Sequence, residues 1–281
     1  MAQVINTNIP SLNAQRQLNR SNSGLELALQ RLSSGKRINS AKDDAAGIAI
    51  SSRFTAQIRG YNQGTRNAAD AISLAQTAEG ALDEISNNLQ RIRELAVQSA
   101  NATNSTTDRA ALNTEMKQLS AEITRISDTQ FNGKAILGDD AGSFKFQVGP
   151  DADTTANQIK VTTNSVGGYS GLRSVTGDGA TAVGISVESK ALATISLVDK
   201  ALTSLNTERA NLGAVQNRFD SVIRNGENAS SNLSASRSRI EDADFAKETA
   251  NLTKYQILQQ AGVSVLSQAN ALPQSVLGLL G

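Results

Sequence analysis

The stretch AAGIAISSRFTAQIRGYNQGTRNAADAISLAQTAEGALDEISNNLQRIRELAVQS, residues 45–99, decides the fold. Within it Tyr61, Gly64, Ala68, Ala71, Ala75, Ala78, Leu82, Ile85, Leu89, Ile92 and Ala96 recur at alternating steps of three and four. That spacing keeps one face of an α-helix apolar. The chain's prolines are Pro10, Pro150 and Pro273, so no helix breaker interrupts the run. One helix over these residues would be roughly 80 Å long at 1.5 Å rise per residue, longer than a compact globule needs. The Gly/Ala half of the seam permits close backbone approach, whereas the Leu/Ile half demands larger packing partners.

On the N-terminal side, Ala14, Leu18, Leu25, Ala28 and Leu32 form a shorter stripe that includes Ser21. It stops at Ser33-Ser34-Gly35, where Gly suits a helix C-cap. Asn39-Ser40-Ala41-Lys42-Asp43-Asp44 reads as a turn whose Ser and Asp side chains can cap the helix that follows. On the other side, a break at Asn101–Asp108 precedes Leu112, Met116, Leu119, Ile123 and Ile126, and so short a connection predicts a helical hairpin. Phe144, Phe146 and Val148 then alternate, as do Ile159 and Val161 beyond Gly149-Pro150, which predicts a β-hairpin over about 143–162. Residues 163–188 are rich in Gly, Ser and Thr, with weak alternation at Val183, Ile185 and Val187, as in a surface loop or a few edge strands. Helical spacing returns with Ile195, Val198, Leu202, Leu205, Leu212, Phe219 and Ile223. A last stripe runs through Tyr255, Leu258, Gly262, Val265, Ala269, Leu272, Val276 and Leu279. Periodicity therefore predicts a mainly α protein, a long rod of antiparallel, coiled-coil-like helices with a small β-hairpin region.

Composition removes classes of function. The 281 residues include no His, Cys or Trp, so imidazole bases, thiol nucleophiles, disulfides and the common zinc ligands are unavailable. Aromatic residues make up 3%, too few for base-stacking platforms or large aromatic pockets. With 27 basic and 26 acidic side chains, no global field attracts nucleic acid or anionic lipid. The first residues, MAQVINTNIPSLNAQ, lack the basic and apolar regions of a cleaved signal peptide. Residues 255–281 carry no charge, but Gln, Ser and Asn interrupt them too often for a membrane span.

Motifs that resemble chemistry read better as structure. Ser33-Ser34-Gly35-Lys36 matches a Ser–Lys pattern of acyl enzymes, yet it sits at a helix terminus. Gly35-Lys36 lacks the upstream Gly of a phosphate-binding loop, since Gln30 stands there. Gly177-Asp178-Gly179-Ala180-Thr181-Ala182 satisfies a dinucleotide pattern but opens no helix. Asp151 and Asp153 begin like a calcium loop, but Ala156 replaces the needed Gly and Thr162 the bidentate Glu. Asp43-Asp44 are helix caps and Asp139-Asp140 a solvated turn. Arg91, Arg93 and Glu94 read as a solvated face with local ion pairs, and Arg237, Arg239, Glu241, Asp242 and Asp244 as a mixed-charge turn entering a helix. No catalytic, cofactor or metal site emerges.

The two ends share a property: the first charged side chain is Arg16 and the last is Lys254. Amphipathic helices without charge need their apolar face buried. The ends can pack on each other within one chain or against other copies, and apolar, amide-rich termini suit an assembly interface better than a solvated tail.

The strings LSSGKRINSAKDDAAGIAI (32–50), LQRIRELAVQSANATNS (89–105), TQFNGKAIL (129–137) and RIEDADFAKETANLTKYQILQQAGVSVLSQANALPQSVLGLL (239–280) closely resemble bacterial flagellin. The resemblance covers about the first 150 and last 90 residues. It implies a structural subunit that self-assembles into the helical flagellar filament used for swimming. Residues 1–42 with 240–281 would then pair as the terminal coiled-coil domain of the inner tube, and 43–162 with 189–239 would form the rod with its β-hairpin. Residues 163–188 would be a short variable loop in place of large outer domains. Leu18, Leu25, Leu32, Leu258, Val265, Leu272 and Val276 are the implied assembly residues. Gln90, Arg91, Leu95 and Glu115 stand where activating flagellins contact the animal Toll-like receptor. The resemblance also implies export through the flagellar type III channel without a cleaved signal, hence a secreted, extracellular protein. Its implied partners are a flagellin export chaperone, the filament cap and the hook–filament junction proteins, with neither nucleic acid nor membrane insertion. A junction or cap protein would share the terminal organisation, and an enzyme within the middle would need more residues than 163–188 provide.

Overall fold

The computed structural model describes residues 7–138, 142–164, 172–176 and 184–280, of which 272–280 as backbone alone. Among them the element order is α1 (Ile9–Ser34), α2 (Ala45–Ala100), α3 (Thr106–Ser127), β1 (Gln130–Phe131), β2 (Lys134–Ala135), β3 (Ser143–Gln147), α4 (Thr154–Asn157), β4 (Gln158–Thr162), α5 (Leu172–Thr176), α6 (Glu188–Glu241) and α7 (Phe245–Leu280). The chain divides into two units, one of residues 1–56 with 232–281 and one of residues 57–231, and α2 and α6 contribute to both. The mainly helical fold, with its long helices, its small hairpin and its paired N- and C-terminal helices, is the class that the spacing and the resemblance together predict.

In the first unit α1 and α7 pair antiparallel. Asn8 donates through Nδ2 to the Ala269 carbonyl at 2.8 Å, Gln259 to Asn22 at 3.0 Å, and Arg31 pairs with Glu248 at 3.1 Å. Asn8 also caps α1 by accepting the Ser11 N–H, and Pro10 occupies the first turn, where its missing donor costs nothing. The helix ends at Gly35, whose φ of 70° is left-handed and whose N–H returns to the Arg31 carbonyl. Glycines make room for side chains of the facing helix: a Cβ on Gly24 would lie 2.5 Å from the Tyr255 ring. Where α6 meets α7, Glu241 forms a clasp. One carboxylate oxygen accepts the Lys36 ammonium and the other the Ser51 hydroxyl at 2.7 Å, while its carbonyl accepts the Arg37 N–H. These bonds, Lys36 first and Ser51 second, hold the Glu241 carboxyl below its ordinary value. Asp43 and Asp44 act as the turn-formers expected: Asp43 accepts the Asn39 and Ser40 N–H groups, and Asp44 the Gly47 N–H.

The second unit is built on the apolar stripe of α2. Ala68, Ala71, Ala75, Ala78, Leu82, Ile85, Leu89, Ile92 and Ala96 are fully buried, and one cluster joins them to Met116 and Ile123 of α3 and Val198, Leu205, Leu212 and Phe219 of α6. A Ser105–Asp108 capping box starts α3 and pulls the Asp108 carboxyl below its usual value. The hairpin pairs β3 with β4 antiparallel, Phe144 opposite Val161 and Phe146 opposite Ile159, with α4 in its connection. Phe146 meets Phe219 edge to face at 5.7 Å, which anchors the hairpin to α6. The backbone beyond β3 crosses α2 at its glycines: a Cβ on Gly64 would stand 2.2 Å from the Val148 carbonyl oxygen, and one on Gly60 2.5 Å from Pro150.

The 163–188 region departs from a plain surface loop. Among its described residues Leu172, Val175 and Ile185 are buried, α5 is helical, and no strand forms. Polar side chains moor it: Ser120 donates to the Val175 carbonyl, Ser99 to that of Ile185, and Asn164 to the buried Glu208. Ile185 is therefore a core residue and Val187 an exposed one, not members of an alternating strand; Val183 lies outside the described residues. The two-residue pair β1–β2, closed by Asn132-Gly133, was not expected from the spacing.

Two measurements check these contacts. Gly64→Ala should lower stability by about 1–3 kcal/mol, because the methyl meets backbone that cannot rotate away. Gly80→Ala, with open space around it, should raise stability by up to about 1 kcal/mol through helix propensity. Urea unfolding of both variants reports the sign, and a stabilised Gly64→Ala would refute the close approach. The Glu241 clasp gives the second test. Its native carboxyl is depressed, so its stabilisation is complete above the ordinary Glu value and drains away as pH falls through the depressed native one. Wild type should therefore lose more thermal stability than Glu241→Gln between pH 7 and pH about 3; parallel losses would show that the clasp contributes nothing.

Candidate assembly interface

Beyond Lys254 α7 carries no charged side chain and has few ways to be wetted, so the question is which of its faces the chain covers. The face toward α1 contains the buried Glu248 and Ala269 and the half-buried Leu252, Tyr255, Gln259, Gly262 and Leu266. Their steps of three and four make the seam, into which Leu18, Leu25 and Leu32 of α1 project as half-buried residues. The two ends thus pack on each other within one chain, yet the pairing leaves much apolar surface bare. On α7 Phe245, Ile257, Leu258, Val263 and Val265 are exposed, Ile257 to 60% and Val265 to 54%. On α1 Ile9, Leu12, Leu27 and Leu29 are exposed as well. Of the expected assembly residues, then, the three leucines of α1 lie in the internal seam and Leu258 and Val265 lie on the open face. The side chains of Leu272 and Val276 lie outside the described residues.

The face expected to meet a receptor lies in the second unit. Arg91 projects from α2 and donates to Glu115 of α3 at 2.8 and 2.9 Å and to Glu94 at 2.9 Å. These carboxylates raise the Arg91 pKa above its ordinary value, Glu115 contributing most. Gln90 and Glu115 are exposed beside it. Leu95 is not. It is 1% exposed and belongs to the core, so of the positions the resemblance implies, Leu95 offers no surface beside Arg91. A position four residues along a helix shares a face only approximately, and Leu95 follows the Leu89/Ile92 seam inward.

The remaining polar groups form structural bonds. Gly35 of the Ser–Lys look-alike is the C-cap described above, and Asp153 caps α4 through the Thr155 N–H. Asp139-Asp140 and the 177–182 motif lie outside the described residues. Asp244 caps α7 through Ala246 and Lys247, as the mixed-charge turn required. Among the described residues no three acidic groups gather to hold a metal ion, and no helix is long and apolar enough to cross a membrane.

Comparison with known proteins agrees with this architecture. Residues 5–141 match the bacterial flagellin N-terminal helical region, and residues 195–280 match the bacterial flagellin C-terminal helical region. A flagellin of Halalkalibacterium halodurans is 46% identical over 280 residues, covering 99% of each chain. A flagellin of Xenorhabdus nematophila is 47% identical over a 312-residue alignment that covers both chains entirely. A solved structure from Vibrio parahaemolyticus, assigned to the flagellar hook-associated proteins, covers 71% of this chain and 100% of its own with a TM-score of 0.58. At 14% identity that likeness concerns the fold alone. With both helical regions matched in order at the two ends of the sequence, and relatives aligned along its whole length, the chain belongs to the bacterial flagellin family, the structural subunits of the flagellar filament.

Proposed function

We propose that this chain polymerises through the terminal helix pair, and that its mechanical role needs no catalysis. The observation that carries the reading is the exposed apolar face of α7, charge-free beyond Lys254, beside the exposed residues of α1. Burying apolar surface is favourable by roughly 25 cal/mol per Å², so neighbours that cover this face gain from doing so. Residues 1–42 with 240–281 then make the inner tube, 43–162 with 189–239 the rod around it, and 163–188 a short outer segment. The subunit travels to the flagellum through the type III export channel without a cleaved signal, guarded by an export chaperone that covers the apolar terminus. The filament cap and the hook–filament junction proteins meet it at the two ends of the polymer.

A second role is supported by the surface around Arg91. In the free subunit Gln90, Arg91 and Glu115 form an exposed patch, with Leu95 supporting it from the core, and this is the surface a Toll-like receptor would meet. Arg is a frequent energetic anchor at such contacts.

Val265→Asp should abolish polymerisation while leaving the chain helical, because an unpaired carboxylate in a dry interface costs several kcal/mol. Electron microscopy and circular dichroism of the same preparation test this, and filaments of normal length would remove α7 from the interface. Arg91→Ala should weaken receptor activation by monomer at least about tenfold, equivalent to about 1.4 kcal/mol. Overlapping dose–response curves on receptor-bearing cells would leave that helix face with a structural role alone.

A further inference from the structure

The chain contains two Asn-Gly dipeptides, Asn132-Gly133 and Asn225-Gly226, and the fold treats them in opposite ways. Asn132-Gly133 is the exposed turn between β1 and β2, with φ of 50° at Asn132 and 75° at Gly133. Positive φ at both central residues marks a tight two-residue hairpin turn. The turn is closed by two residue pairs, Gln130 with Ala135 and Phe131 with Lys134, and the Ile136 N–H continues the ladder to the Thr129 carbonyl at 3.1 Å. Among the described residues the Asn132 side chain makes no hydrogen bond, and the space around Gly133 is open, with nothing within 4 Å of where a Cβ would stand. Asn225-Gly226 lies inside α6. Gly226 is buried against Thr65, and helical bonding engages its N–H.

We propose that Asn132 is a site of spontaneous covalent modification, deamidation through a cyclic imide, and that α6 protects Asn225 from the same reaction. The backbone nitrogen of Gly133 loses its proton to hydroxide and attacks Cγ of Asn132. The new N–Cγ bond forms as the Cγ–Nδ2 bond breaks, and Nδ2 leaves as ammonia after taking a proton from water. The product is a five-membered imide. Water then opens the ring at the side-chain carbonyl to give Asp, or at the main-chain carbonyl to give isoaspartate. No oxidant or reductant is involved, and the net change is one water consumed and one ammonia released.

Three features of the turn favour the reaction. Gly133 has no side chain to obstruct the attack, its surroundings leave room for the ring, and the exposed end of so short a ladder opens at low cost. In α6 the attacking nitrogen points along the helix and its proton is committed, so several turns must open first. The consequence for the fold is also specific. Isoaspartate adds a methylene to the main chain inside a two-residue turn, which shifts the register of Phe131 against Lys134. Ile136 and Leu137, fully buried just beyond β2, hold the next residues in place, so the damage stays in the turn. Modification also places a carboxylate beside Lys134, giving each aged subunit an added negative charge at a fixed place.

Peptide mapping by mass spectrometry, with isoaspartate quantified, decides the proposal. The full chain is held at pH about 8.5 and 37 °C, once folded and once unfolded in urea, conditions under which the attacking nitrogen is deprotonated more often. In the folded protein Asn132 should convert at least about tenfold faster than Asn225, and in urea the two should converge. Equal rates in the folded protein, or a disparity that persists unchanged in urea, would overturn the assignment, the first by denying protection and the second by locating the cause outside the fold.

Discussion

Everything in the second unit follows from the need to cover one continuous apolar stripe on α2. From Ala68 to Ala96 no stripe residue is exposed, and α3, α6 and the β3–β4 hairpin are each placed where they shield part of it. The stripe changes from Gly and Ala to Leu and Ile along its length, and its partners change accordingly. Where the seam is Gly, main chain packs against it directly, as Val148 does at Gly64. Where it is Leu and Ile, side chains from α3 and α6 fill the space.

The terminal unit obeys a weaker version of the same rule. Its seam buries few residues fully, Ala14, Ala28 and Ala269 among them, and polar bonds such as Asn8 to Ala269 and Arg31 to Glu248 fix the pairing. The leucines of the seam are only half buried, and other large apolar side chains, Ile257 and Val265 among them, stay outside it. A helix pair arranged in this way is specific in register and incomplete in burial, which suits a segment whose final environment includes other copies.

Most of this was legible in the residues. The long helix, the α3 hairpin, the β3–β4 strands, the Gly35 cap and the Asp43-Asp44 turn all rest on local signals, namely spacing of three and four, spacing of two, and side chains able to reach their own backbone. The phase of α7 was harder. Beyond Lys254 the helix carries no charge to orient it and its Gln, Ser and Asn residues are scattered around it, so Leu258 and Val265 read as one stripe with Gly262, although Leu252, Leu266 and the glycine face α1. Leu95 misled for a related reason, since proximity along a helix does not say which neighbour points inward. Residues 172–187 hid core positions in a Gly/Ser/Thr background because their anchors, Leu172, Val175 and Ile185, are fixed by contacts distant in sequence. The Asn132-Gly133 turn carried its own signal and was overlooked because its strands are too short to alternate.

The bare face of α7 has a thermodynamic character of its own. Beyond Lys254 its exposed side chains carry no charge, so ionic screening has little to act on there. The attraction between two such surfaces comes from released water, and that force weakens on cooling and strengthens with strongly hydrated anions. A polymer joined through it is one whose cohesion rises with warmth across ordinary temperatures.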